Sequence, residues 1–221
     1  MTKVRLHTLP IRAWHWVNAF LIVLLLLTGV QLRAPDLSLF GRYANAVWLH
    51  KYAGFAASGS FIFWLIYVLL SKAFWRHYVL KPSDVKRMPG QALYYGFNLF
   101  RGVENPFKPS PMNKFNPMQK VAYFSMMTIV TPIVVLTGIL FSDVLYFRPY
   151  IEAIGGLRVL DAIHVIAAYF FFLYLLVHLY MATMGHTIFA HFKAMIVGYE
   201  EEPGAGEEPG PHRSADQGPT A

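Results

Sequence analysis

Four apolar runs constrain the architecture more than any other feature of the chain. They cover roughly Ala13–Leu32, Val47–Leu70, Val121–Phe141 and Leu160–Met184. Each reaches the approximately 20 residues that a helix needs to cross the hydrocarbon core of a bilayer. A helix of a soluble all-α protein keeps a polar stripe toward water, and these runs mostly lack one. The chain is 56% hydrophobic and only 14% charged, against about 25% charged in a typical soluble domain. The expected fold is therefore all-α: a transmembrane four-helix bundle.

The first run follows Lys3, Arg5 and Arg12, as a signal peptide would. Its apolar part is long, however, and "TGVQLRAPD" is a poor small-residue cleavage site, so it reads as a retained span. There are no cysteines, which excludes structural disulfides, iron–sulfur ligation by this chain and covalent c-type haem.

The formal charge of +7 raises the question of a nucleic-acid partner, but its distribution speaks for topology. Fourteen basic residues lie at the N-terminus (Lys3, Arg5, Arg12), in the loop between the second and third runs with its flanks, or near the C-terminus; five (Arg33, Arg42, Lys51, Arg148, Arg158) lie on the other side. This positive-inside asymmetry predicts that both termini and the long middle loop are cytoplasmic. The loop, from about Ser71 to Met118, is too long for a simple connection. Within "SDVKRMPGQALYYGFNLF", Ser83 or Asp84 is placed to cap a short helix. Its aromatics Tyr94, Tyr95, Phe97 and Phe100, with basic flanks, suit an amphipathic helix at the membrane surface. "NPFKPSPMNKFNP" should be irregular. Residues 1–199 form the expected membrane domain. Residues 200–221, rich in Pro, Gly and acid, form an expected disordered cytoplasmic tail that includes His212.

Intramembrane histidines are costly and mark function by default. His164 and His178 are fourteen residues apart. On a helix that is about 21 Å of rise and only about 40° of rotation, so they share one face at two depths. The first run places His15 near its cytoplasmic start, and the second places His50 near its outer start. Depth then pairs His50 with His164 toward the outside and His15 with His178 toward the inside. Facing imidazoles across a bundle suit the two axial positions of haem iron. A structural zinc site wants four ligands, normally with Cys or carboxylate, and no Asp or Glu lies deep in these runs.

Small residues fit the same picture. Gly29 lies fourteen residues after His15, Gly54 one turn after His50, and Gly138 is in the third run; glycines there let a flat macrocycle approach the backbone. Porphyrin propionates need cations at the interfaces, for which Arg12 on the inner side and Lys51 or Arg158 on the outer side are placed. Other readings stand beside this one. A single membrane histidine is often an interhelical hydrogen-bonding residue, and the Thr-Gly pairs of "LLLLTGVQL" and "IVVLTGILF" are compatible with plain helix packing. His7, His77, His186 and His191 lie at or beyond span ends and read as interfacial or solvated. His186 competes with His178 as a ligand, on nearly the same face but about 12 Å further along.

Over roughly residues 8 to 195 the chain resembles the di-haem cytochrome b membrane subunits of formate dehydrogenases, nickel–iron hydrogenases and thiosulfate reductases. "LPIRAWHWVNAF" matches that family's opening, with His15 in the place of its first ligand; "WLHKYAGF" places His50 as the second; "DAIHVIAAYFFFLYLLVHLY" has the two last-helix ligands. "KFNPMQKVAYFSMMTIVTPIVVLTGILF" is similar to the cytoplasmic start of the third helix. The resemblance implies two bis-histidine haems b, His50/His164 outer and His15/His178 inner. It also implies a quinone site (menaquinone or ubiquinone) bordered by Asn116, Gln119 and His178. Asn116 as N-cap with Gln119 three residues on is equally a capping box. "FNPMQK", with Pro117 and Met118, and "PFKPSP" stand closer to the thiosulfate reductase and hydrogenase branches, which leaves the partner's substrate open.

The implied function is electron transfer in a bacterial cytoplasmic membrane. It runs between a periplasmic partner (an iron–sulfur, molybdenum or nickel–iron catalytic subunit) and the quinone pool, within a respiratory oxidoreductase complex and with no nucleic acid involved. The alternative is a membrane anchor or assembly scaffold without haem.

Overall fold

The computed structural model describes residues 2–5, 8–71, 75, 79–103, 106–107, 115–183 and 189–202. Its elements, in chain order, are strand β1 (Thr2–Arg5), α1 (Leu9–Arg33), α2 (Tyr43–Leu70), α3 (Pro82–Leu93), α4 (Pro117–Ser142), α5 (Arg148–Ala153), α6 (Leu157–Ala182), α7 (Ala190–Val197) and strand β2 (Tyr199–Glu202). Helices α1, α2, α4 and α6 are each long and apolar enough to cross a membrane. Each begins three or four residues before its apolar run, because a first turn of polar, aromatic or proline residues (Tyr43 to Ala46, for example, or Pro117 at the head of α4) continues the same helix. The last span ends at Ala182 rather than at Met184, which lies outside the described residues, as do His7, His77, His186 and His212.

Contacts divide the chain into two units, residues 16–177 and residues 1–15 with 178–221. In the first, the long helices are tied pairwise by polar bonds. Asn18 Nδ2 donates to Ser60 Oγ at 2.7 Å between α1 and α2, Lys51 Nζ to the Ser142 carbonyl at 2.8 Å between α2 and α4, and Arg33 pairs with Asp161 at 2.6 Å between α1 and α6. Much of what the spans bury is small or polar. Thr28, Gln31 and Ala46 are fully buried, with Ala53, Thr137 and Ala167 nearly so, while Phe20, Leu136, Tyr169 and Leu173 stand exposed. Small residues let backbones approach where lipid gives no hydrophobic drive between helices. The Gln31 amide is satisfied at both ends: Nε2 donates to the Gly41 carbonyl at 2.8 Å, and Oε1 accepts from Phe40 N–H at 2.7 Å. It closes the turn that joins α1 to α2.

In the second unit, β1 and β2 pair antiparallel, with Thr2 opposite Glu202 and Arg5 opposite Tyr199. Strand β2 therefore takes in Glu200 to Glu202, where the composition pointed to a disordered tail from residue 200; residues 203–221 lie outside the described ones.

The loop helix α3 is present, with a different cap from the one expected. Pro82 occupies its first turn, and Asp84 reaches back from inside the helix to accept the Lys81 N–H at 3.0 Å. Its buried face is polar: Asp84 and Gln91 are turned inward, and Val85 and Leu93 outward. An apolar stripe facing away from the protein is what an interfacial helix requires. A π turn follows at Tyr94–Asn98. The inward face is fixed by an ion pair across 36 residues of chain, Lys120 Nζ to Asp84 Oδ2 at 2.8 Å, with both side chains almost fully buried.

Burial alone would raise the Asp84 carboxyl. The hydrogen bond from Lys120, the bond from the Lys81 N–H and the charges of both lysines outweigh it, and hold it below the usual carboxylate range. A carboxyl depressed by folding contributes stability above its unfolded value of about 3.9, and that stability is lost as pH falls through the folded value. Asp84→Asn leaves Lys120 buried without a counter-charge and is expected to destabilise the protein by about 3–5 kcal/mol at neutral pH. As pH falls through the folded value the wild-type carboxyl itself becomes protonated and the difference should shrink. Thermal unfolding of detergent-solubilised protein across that range checks both statements.

Candidate functional site

Two histidine pairs stand out, one in each unit. In the larger unit, His50 near the start of α2 and His164 in the second turn of α6 face each other with ring centres 6.2 Å apart and planes at 68°. In the other unit, His15 of α1 and His178 of α6 have ring centres 6.0 Å apart and planes at 50°. All four rings are half-buried. An imidazole nitrogen binds a first-row metal at about 2 Å and lies roughly 1 Å from its ring centre, so two imidazoles on opposite sides of one metal hold their centres about 6 Å apart. Both pairs have that spacing. Among the described residues, no three of His, Cys, Asp and Glu come together in a metal-binding group. Two protein ligands suffice for a porphyrin iron, because the macrocycle supplies the other four.

The larger unit also shows which ring nitrogen is available. A hydroxyl has one proton to give. That of Thr28 is directed back along its own helix, with the Leu24 carbonyl at 2.7 Å and the Leu25 carbonyl at 3.1 Å. The same oxygen lies 2.9 Å from His50 Nδ1, so it can only accept there. The hydrogen-bond network thus assigns the imidazole proton to Nδ1 and leaves the Nε2 lone pair free, as a neutral metal ligand requires. Thr137 repeats the arrangement on α4. Its Oγ1 lies 2.7 Å from the Ile133 carbonyl and 3.1 Å from that of Val134, and 2.8 Å from His164 Nδ1. Phe141 sets its edge against the His164 ring, centres 5.5 Å apart.

The glycine after each threonine completes the seat. A Cβ on Gly29 would lie 3.6 Å from His50 Cε1, and one on Gly138 the same distance from His164 Cε1. A methyl there would just touch the ring; anything longer would enter the space beside Nε2. Gly54 differs: its nearest neighbour would be Leu25 Cδ2 at 4.0 Å, so it faces the α1 packing surface. The ring-orienting role of Thr28 and Thr137 is the functional feature that the sequence reading missed, although it had noted the paired Thr-Gly.

Of the cations placed for propionates, Arg12 directs Nη1 to the Ile196 carbonyl of α7, and its Nε is buried without a partner among the described residues. Lys51 is exposed and gives one of its protons to Ser142; Arg158 lies exposed in the first turn of α6. Asn116 and Gln119 form the capping box at the head of α4. Asn116 Oδ1 accepts Gln119 N–H at 2.9 Å, and Gln119 Oε1 accepts Asn116 N–H at 3.1 Å. Asn116 Nδ2 donates to Tyr95 Oη at 2.8 Å, so that buried amide is engaged at both ends. Gln119 Nε2 makes no hydrogen bond among the described residues and is half-buried.

The family profile of the prokaryotic cytochrome b561 proteins matches residues 6–198. The chain belongs to that family. YdhU of Escherichia coli (strain K12), a protein named as a cytochrome, is 32% identical to this cytochrome over 203 residues, covering 89% of the chain and 74% of that protein. The formate dehydrogenase cytochrome b556 subunit of Haemophilus influenzae is 25% identical over 82% of the chain and 71% of its own length. The cytochrome b556(fdo) subunit of formate dehydrogenase of Escherichia coli (strain K12) is 24% identical over 80% of the chain and 77% of its length. The chain is thus a bacterial membrane cytochrome b of electron transfer, in a family whose cofactor is haem b. The spacing of both histidine couples, and the Nε2 available on His50 and His164, fit that group.

The seat beside Nε2 is open to a direct check. Gly29→Leu is expected to lower the haem-to-protein ratio with helix content unchanged. Gly59→Ala, where a Cβ would meet nothing within 4 Å, should leave the ratio as it is. Pyridine haemochrome assays alongside circular dichroism of the purified protein measure both.

Proposed function

We propose that this cytochrome holds two haems b, one between His50 and His164 and the other between His15 and His178, and carries electrons between a catalytic partner subunit and membrane quinone. The observation that carries the reading is the two imidazole couples, with ring centres 6.2 and 6.0 Å apart. The haems, when bound, supply one-electron exchange at iron; the protein supplies placement and surroundings. The threonine-held imidazoles present a neutral lone pair. The apolar spans exclude water from the ligand faces.

The relatives named as formate dehydrogenase subunits support a catalytic redox partner, and the proposal takes it to be a periplasmic iron–sulfur, molybdenum or nickel–iron subunit, as the sequence resemblance implies. The basic asymmetry of the loops supports a cytoplasmic-membrane protein with both termini, the α3 loop and the tail beyond Glu202 in the cytoplasm. On that topology the head of α4 is cytoplasmic. There Gln119 Nε2 is the donor for a quinone oxygen, and Asn116, whose amide is already engaged, positions Gln119 through the capping box. His178, the third residue of the expected quinone border, belongs to the other unit.

The wild-type protein should contain two b haems per chain, and His50→Ala and His178→Ala one each, by pyridine haemochrome and reduced-minus-oxidised spectra. A colourless folded protein, or two haems surviving in both variants, would replace this reading with that of a scaffold. Gln119→Leu should lower quinone-coupled turnover of the intact complex at least tenfold with haem content unchanged. Asn116→Ala should also lose about 1 kcal/mol of stability through the missing cap, visible in thermal melts.

A further inference from the structure

The two Thr-Gly seats are alike to within 0.1 Å in every contact described: hydroxyl to carbonyl at 2.7 and 3.1 Å in both, hydroxyl to Nδ1 at 2.9 and 2.8 Å, and the absent Cβ 3.6 Å from Cε1 in both. They sit on different helices, α1 and α4, and serve histidines on two others, α2 and α6. The sequence shared between them is little more than Leu-Thr-Gly. Plain helix packing has no reason to aim both hydroxyls at an imidazole nitrogen, with both oxygens already giving their proton to their own helix.

We propose that Thr28 and Thr137 are the positioning residues of the haem held by His50 and His164, each fixing the tautomer and the ring plane of one axial ligand. The inference rests on those two histidines being the ligands. Each ring is tied at Nδ1 by the hydroxyl, and its Cε1 side lies toward the glycine, where an added Cβ would stand 3.6 Å away; together these favour one ring setting. The 68° between the ring planes is the outcome of those two settings. The chain from carbonyl to hydroxyl to Nδ1–H is polarised in one direction, each bond strengthening the next. Donation from Nδ1 raises the basicity of Nε2, which favours ferric over ferrous iron. A neutral hydroxyl does this mildly and leaves the ligand an imidazole, where a carboxylate would draw it toward imidazolate.

The test uses the full-length, haem-loaded protein in detergent and compares Thr28→Val, Thr137→Val and the double variant with Thr28→Ser and Thr137→Ser. Valine keeps the volume and removes the hydroxyl; serine keeps the hydroxyl. Three quantities are read: midpoint potentials by optical titration, the low-spin ferric EPR signal, and the rate of haem transfer to apomyoglobin. Strongly crossed ring planes give a highly anisotropic ferric signal, so that signal reports the ring setting. In each valine variant one haem should rise in potential and change its EPR signal while the other stays put. Transfer of the affected haem should be about ten- to a hundredfold faster, the usual effect of losing a partner behind a metal ligand. Serine variants should match wild type.

Valine variants with wild-type potential, EPR signal and transfer rate would overturn the proposal. So would serine variants altered as much as the valine ones, which would show that the methyl and not the hydroxyl matters. If a valine variant does not accumulate, Thr28→Ala and Thr137→Ala carry the same expectations. A wild-type protein with a single haem would instead bring down the ligand assignment beneath the proposal; two haems with unmoved valine variants would bring down the proposal alone.

Discussion

An imidazole placed inside a membrane must have both nitrogens accounted for, and the larger unit of this protein is organised around doing so. Unsatisfied polar groups in hydrocarbon cost several kcal/mol. With the threonine protons given to their own helices, the hydroxyl oxygens of Thr28 and Thr137 accept from Nδ1–H of His50 and His164, which leaves the two Nε2 atoms as the remaining polar positions. The two ring centres lie 6.2 Å apart, the spacing of two imidazoles that share one metal. The separation of α1 from α2 and of α4 from α6 is set accordingly, because a hydroxyl on one helix must reach a ring on the next. Glycine follows threonine in each case because the ring then lies against bare backbone.

The rest of the polar chemistry follows the same inversion of the soluble-protein pattern. Thr28, Gln31 and Thr137 are buried within spans whose phenylalanines and leucines face outward. Gln31 closes the turn between α1 and α2, and the exposed Arg33–Asp161 pair, worth little energetically as a surface ion pair, marks where α1 and α6 meet at one end of the bundle. Beyond the spans the logic extends to α3, which keeps Asp84 inward against Lys120, and Val85 and Leu93 outward beside the exposed Lys86 and Arg87. A helix so arranged is held by a buried ion pair on one side and is suited to lipid on the other.

The spans and the four histidines were legible in the sequence because both are exceptions to a strong rule: charge is absent over about 20 residues, and ionisable groups appear inside that absence. Helical periodicity then puts His164 and His178 on one face without any structure. The capping box at Asn116 and Gln119 was legible as a local pattern. The roles of Thr28 and Thr137 were not, since a threonine in a membrane helix commonly bonds its own preceding turn. Both do so here; what distinguishes them is a ring on another helix, 22 and 27 residues away. Asp84 and Lys120 were hidden for a similar reason, as each looks like an ordinary member of a basic, polar loop. Strand β2 runs into a segment whose composition points to disorder, and only its pairing with β1 shows otherwise.

Helix α6 provides a histidine to each couple, and α1 and α2 one apiece, so α4 is the span that gives a histidine to neither. Its contribution is orientation, and that explains its irregular backbone. Gln119 and Thr137 are eighteen residues apart, about five full turns of a regular helix, and would share one face. The π turn at Met126–Val130, where the Thr131 N–H reaches back to the Met126 carbonyl and the Thr131 hydroxyl bonds the same oxygen at 2.8 Å, inserts the equivalent of one residue. That rotates one half of α4 against the other by about 100°. Thr137 is thereby free to meet His164 on α6, while the head of the helix presents Lys120 to α3 and leaves Gln119 Nε2 without a hydrogen bond among the described residues. Without the π turn, one face of one helix would have to serve two neighbours.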